Sequence, residues 1–115
     1  MPRVIRPFAL VAAIAVLLAI APAASAKGCS IGNERSYGTT YVTKISVSGT
    51  SCRSARTVVR AFHACRPGAK GKCSGRPKGY SCSESRFNKG RTSYDSNVTC
   101  RKGGRTVKHT YTQFL

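Results

Sequence analysis

Six cysteines, Cys29, Cys52, Cys65, Cys73, Cys82 and Cys100, sit in the last three-quarters of a 115-residue chain. They restrict its fold more than any other feature. They are separated by 22, 12, 7, 8 and 17 residues, so no C-x-C or C-x2-C pair exists to nucleate a zinc site. The expected use is three disulfides, with the connectivity left open among fifteen possibilities. No metal and no cofactor is expected.

The compartment follows from the other end of the chain. Arg3 and Arg6 precede an uncharged apolar run from Phe8 to Ile20, and Ala24-Ser25-Ala26 has the A-x-A form that signal peptidases recognise. Residues 1–26 therefore read as a signal peptide cleaved after Ala26. The run is short for a permanent membrane span, which needs about 20 apolar residues, so no transmembrane segment is expected in the mature chain. A lipid anchor on Cys29 fits less well: Lys27 would put a charge in the lipidation site, and five cysteines would leave an orphan. Secretion to the extracellular space or cell envelope is the expectation, and it supplies the oxidising conditions disulfides need.

The mature chain is then a single domain, with 27–40 as an irregular lead-in and 41–115 as the stapled body. It has no Trp and few large apolar residues, and a core this small commonly depends on covalent staples. Loss of Arg3 and Arg6 leaves 18 basic residues against Glu34, Glu84 and Asp95, a formal charge of +15. Such a charge attracts polyanions and discourages self-association, so a monomer with anionic partners is expected.

Periodicity fixes the elements. Tyr41 to Val47 alternates as a strand, with Tyr41, Thr43, Ile45 and Val47 on one side. Thr50-Ser51 supplies a helix cap. Cys52, Ala55, Val58, Val59, Phe62 and Cys65 then recur at three and four, the apolar face of a helix that Pro67-Gly68 ends. Tyr80 to Phe87, Ser96 to Arg101 and Thr106 to Phe114 read as an antiparallel meander, its last turn at Gly103-Gly104. Counting out from that turn sets Cys100 opposite Val107, Val98 opposite His109 and Ser96 opposite Tyr111. The fold expected is α+β, one helix on a three- to four-stranded antiparallel sheet. Cys65 is the nearest partner for Cys73, and a bridge from Cys52 to Cys82 or Cys100 is sterically reasonable.

The candidate binding residues are cations. Arg53, Arg56 and Arg60 form a stripe on the helix, and Lys70, Lys72, Arg76 and Lys78 lie in a Gly- and Pro-rich loop over residues 66–79, read as mobile. These imply an anionic polymer or surface as partner: envelope polymer, acidic polysaccharide or nucleic acid. The enzymatic alternative is a small ribonuclease. Its chemistry needs a base and an acid titrating near neutrality beside a phosphate-holding cation, and His63 and His109 are the only imidazoles. No phosphate loop, nucleophile elbow or paired carboxylates accompany them.

Three runs form a recurrent pattern: Gly49-Thr50-Ser51-Cys52-Arg53-Ser54-Ala55-Arg56-Thr57-Val58-Val59, Gly79-Tyr80-Ser81-Cys82 and Val98-Thr99-Cys100-Arg101-Lys102-Gly103. The pattern resembles small secreted, disulfide-stapled bacterial proteins of actinobacterial type. It covers roughly residues 41–112 and implies a fold and export but carries no activity with it. Cys65 and Cys73 depart from its simplest form.

Overall fold

The computed structural model describes residues 25–33, 37, 38 and 40–115. All but the last two residues of the expected leader, and Glu34, lie outside that range. Among the described residues no helix is long and apolar enough to cross a membrane.

The chain is α+β, with five strands rather than three or four. Strands β1 (Lys27–Cys29), β2 (Tyr41–Ser48), β3 (Ser81–Phe87), β4 (Ser93–Lys102) and β5 (Arg105–Phe114) form one antiparallel sheet in the order β1-β2-β5-β4-β3. The extra strand comes from the lead-in: Lys27, Gly28 and Cys29 pair with Val47, Ser46 and Ile45 at the sheet edge. Three residues are too few to show a period, so nothing in their sequence announces a strand.

The one α-helix among the described residues, α1 (Cys52–Cys65), starts where the Ser51 hydroxyl accepts the Ser54 amide at 3.1 Å. Its Ala55, Val58, Val59 and Phe62 are buried against the sheet. Opposing them are Ile45, Val47, Val98, Cys100, Val107 and Tyr111, all essentially without exposure. Cys100 pairs with Val107, Val98 with His109 and Ser96 with Tyr111, the register counted from the Gly103-Gly104 turn. In β2 the expected alternation breaks. A bulge between Val42 and Lys44 moves Val42 onto the buried face with Ile45 and Val47. Tyr41 turns outward, where its ring meets Phe114 edge-on at 5.2 Å. An extra residue in one strand flips the faces on either side of it.

Three disulfides form, and one pairing expectation is corrected. Cys65 bonds Cys73, as their spacing suggested. Cys52 bonds Cys29 rather than Cys82 or Cys100, and the latter two bond each other as direct partners on β3 and β4. The reason lies in β1: once it joins the sheet edge, it carries Cys29 to the first turn of α1. This bridge closes a span of 23 residues, worth about 3 kcal/mol by loop entropy. Replacing Cys29 and Cys52 together by Ser should cost about that much in chemical denaturation, with amide protection falling first in β1.

The first half of the loop over 66–79 is anchored rather than free of the body. Arg66 and Arg86 both donate to the Gly71 carbonyl, at 3.1 and 2.8 Å, and the Lys70 carbonyl accepts from Arg86 at 2.8 Å. With Cys65–Cys73, these contacts tie its first half down to the sheet.

Candidate anion-binding surface and the buried histidine pair

The cations expected to form one surface fall into separate places. Arg56 is spent on structure, donating to the Ser30 carbonyl at 3.1 Å. Arg60 lies over the Tyr37 ring at 5.1 Å and lines a depression beside His63 and Arg66. Lys70 and Lys72 border a shallow cleft with Arg86 and Lys89, but its floor carries Glu84. Arg76 is exposed and makes no side-chain cap on the 3₁₀ turn that follows it.

Arg53 and Lys78 converge. They line a concavity of about 290 Å³ together with Lys102 and Arg105 from the two sides of the β4–β5 turn. Ser54 and Thr57 add hydroxyls to its wall. Two backbone features bring these segments together. Gly49 packs so tightly on the hairpin tip that a Cβ there would collide with the Gly104 carbonyl. Lys78 takes a left-handed conformation (φ 52°), a conformation that costs free energy in a residue with a side chain. The Lys78 carbonyl thereby accepts from Lys102 Nζ at 3.3 Å, and that ammonium lies 5.9 Å from the centre of the Tyr80 ring.

On the far face of the sheet, a neighbouring depression is bordered by Arg101 and Lys108. Six cations therefore surround one end of the β4–β5 hairpin. Neither lining includes an acid. Asp95 is seven residues from Lys102 on β4, about 23 Å along the strand. Thr112 and Asn88 donate to its carboxylate, at 2.6 and 2.9 Å, and hold it below its ordinary range. Glu84 is committed on the helix side. Burial alone would raise its pKa, but hydrogen bonds from Tyr111, Ser96 and Arg86 outweigh burial and lower it.

Sequence reasoning missed Lys102, Arg105, Arg101 and Lys108 as binding residues. Their signal was the Lys-Gly-Gly-Arg turn, which was read for its backbone alone; two cations flanking a tight turn must project from the same end of the sheet.

The histidines meet under the end of the helix, His109 buried and His63 half-buried at the edge of the depression that Arg60 and Arg66 line. His63, near the end of α1, and His109, in β5, approach with Nε2 atoms 3.0 Å apart. The Arg66 guanidinium fixes their protons. Its Nη1 lies 3.1 Å from His63 Nδ1, and an arginine can only donate. Neutral His63 therefore carries its proton on Nε2 and donates it to His109 Nε2. The proton of His109 must then sit on Nδ1, which is buried and meets no hydrogen-bond partner among the described residues. A second proton on either ring would set N–H against N–H or against the guanidinium.

Electrostatics agree with that assignment. Burial, then Arg66, lowers the His63 pKa to about 3, against a smaller upward pull from Glu84. Burial, then His63 and Arg66, puts His109 well below its ordinary value. Phe62 and Tyr111 pack on both rings, with centroids between 4.6 and 5.8 Å. An acid–base pair for phosphodiester cleavage needs imidazoles that change protonation near neutrality and reach a substrate. His109 is 3% exposed and both rings stay neutral, which suits packing better than proton transfer.

The fold and the surface define a class: a small α+β domain, stapled by three disulfides, with a cationic cleft at one end of its sheet. No protein-family model, no curated protein and no solved structure matches the chain.

Proposed function

We propose that this protein is an exported, non-enzymatic module that holds anionic polymers by charge. One observation carries the reading: Arg53, Lys78, Lys102 and Arg105 converge on a single concavity whose lining contains no acid. Like charges brought together in a fold are held apart from one another at a cost, which a polyanion relieves by displacing its own counterions. The three disulfides suit an oxidising compartment outside the cytoplasm. There, envelope polymers, acidic polysaccharides and released nucleic acid offer the complementary charge.

The test mixes the protein, disulfides intact, with single-stranded RNA and separately with an anionic envelope polymer, at low and physiological salt. Retention that fades steeply with salt while the RNA stays whole is the expected result. RNA cleavage that co-purifies with the folded protein and disappears on unfolding would replace this reading with the nuclease.

A further inference from the structure

Resting on the polyanion reading, the hairpin end goes further and indicates what kind of polymer fits. We infer that it is a phosphodiester-binding site that recognises a linear chain by its phosphates alone, running from the cleft beside α1 around the β4–β5 tip to Arg101 and Lys108.

Two features support phosphate. Arg53 and Arg105 bring planar forks that pair two N–H groups with two oxygens of one tetrahedral group, whereas Lys78 and Lys102 act as point charges. Ser54 and Thr57 offer hydroxyls to the remaining oxygens. The Thr57 hydroxyl donates to the Arg53 carbonyl at 3.1 Å, so its lone pairs face outward and it must rotate to serve a ligand, while the Ser54 hydroxyl accepts from Ser51 and keeps its own proton to give. A phosphodiester offers two charged oxygens to a guanidinium fork and two weakly accepting ester oxygens to the hydroxyls, whereas a carboxylate has only the first two.

The linear chain follows from the second depression. Arg101 pairs with Thr106 and Lys102 with Arg105 in adjacent positions of the same ladder, and successive residues of a strand project to opposite faces. A chain leaving the cleft at Lys102 and Arg105 therefore meets Arg101, and then Lys108, as it passes over the sheet edge of the tip.

Recognition without bases follows from what the site lacks. Proteins that grip single-stranded nucleic acid stack its bases on aromatic rings. The one aromatic residue in the cleft is Tyr80, only 4% exposed and lying under the Lys102 ammonium. Tyr41 and Phe114 sit at the opposite end of the sheet, where Tyr41 pairs with Thr112.

The experiment compares three probes of equal charge number: a polyol-phosphate polymer, an abasic oligodeoxynucleotide and oligo(dT), with poly-glutamate as a carboxylate control. Each is titrated into the native protein and into two doubly neutralised variants, Arg53→Gln/Arg105→Gln at the cleft and Lys89→Gln/Arg91→Gln at the far end of the sheet, after both are shown to melt like the parent. The expected result is similar binding of all three phosphate chains, a logarithmic salt slope of about −4 for six contacts at roughly 0.7 each, weaker binding of poly-glutamate, and a loss of about tenfold in the cleft variant alone.

Equal losses in both variants would overturn the site while leaving the polyanion reading intact. Oligo(dT) binding at least tenfold tighter than the abasic chain would overturn recognition by phosphate alone, in favour of nucleic acid. Poly-glutamate binding as tightly as the phosphate chains would overturn the phosphate assignment. Absence of binding to every probe would remove the polyanion reading itself.

Discussion

Acidification from pH 6.5 to 4.5 should cost the native fold about 2 kcal/mol through His63, with His109 adding to the loss in the same direction, a large part of the stability of a small domain. The source is His63 and His109. Both have folded-state pKa values depressed below the ordinary 6.5, His63 to about 3. In the unfolded chain each takes up a proton as the pH falls through 6.5, while in the folded protein neither does. Stability contributed by the neutral pair is thus fully present above pH 6.5 and is lost progressively below it, at up to about 1.4 kcal/mol per pH unit for each ring.

The carboxylates act in a different window. Glu84 and Asp95 are lowered from 4.5 and 3.8, so their contributions are lost only as the pH falls below those values. Calorimetric unfolding at pH 5, repeated in buffers of different ionisation enthalpy, should register uptake of nearly two protons. Uptake close to zero would show that the pair is already charged when folded. Nitrogen chemical shifts at pH 7 give an independent check, with His63 protonated on Nε2 and His109 on Nδ1.

The second large effect is expected at Arg66, 8% exposed and central to the polar interior. Its Nε donates to Gly71 O, and its Nη atoms reach His63 Nδ1, Gln113 Oε1, Ala69 O and the Tyr94 hydroxyl, between 2.7 and 3.3 Å. The guanidinium also lies 4.7 Å from the centre of the Tyr111 ring. Every one of these acceptors is neutral, and five N–H groups serve five acceptors, so none remains for a ligand.

Replacing Arg66 with Met keeps much of the volume and strands His63 Nδ1 and Gln113 Oε1 inside the protein. Stranded buried acceptors cost about 1–3 kcal/mol each, so the variant should lose about 3 kcal/mol in chemical denaturation. Arg66→Lys should recover little of this, because an ammonium cannot reproduce the planar fork. The two predictions are coupled. Without the guanidinium, His63 Nδ1 is free to accept a proton, so the His63 pKa should rise in the Met variant and the acid slope should become shallower. A loss below 1 kcal/mol would mean that Arg66 is not the organiser of this interior.

The pattern of residues was sufficient for the helix and the last hairpin. Cap, apolar face and stop signal delimit α1 at Cys52–Cys65, and the Gly103-Gly104 turn sets the β4–β5 register by counting. Cys65 and Cys73 are close enough in the chain for their pairing to be anticipated. These features depend on neighbours a few residues apart, and the backbone's own periods record them.

What depends on distant contacts was not legible. Strand β1 forms because the edge of β2 is open to pair it, and that pairing carries Cys29 to Cys52. The bulge after Val42 reverses an alternation that looked regular. The helix arginines, read as one stripe, separate because Arg56 finds the Ser30 carbonyl, Arg60 finds Tyr37, and only Arg53 is left facing Lys78 and the hairpin tip. Composition alone gave this chain its charge and its staples. Which cations stand together, and whether two histidines face water or each other, was decided by which surfaces the sheet and helix closed between them, since burial sets both the partner and the proton of a polar side chain.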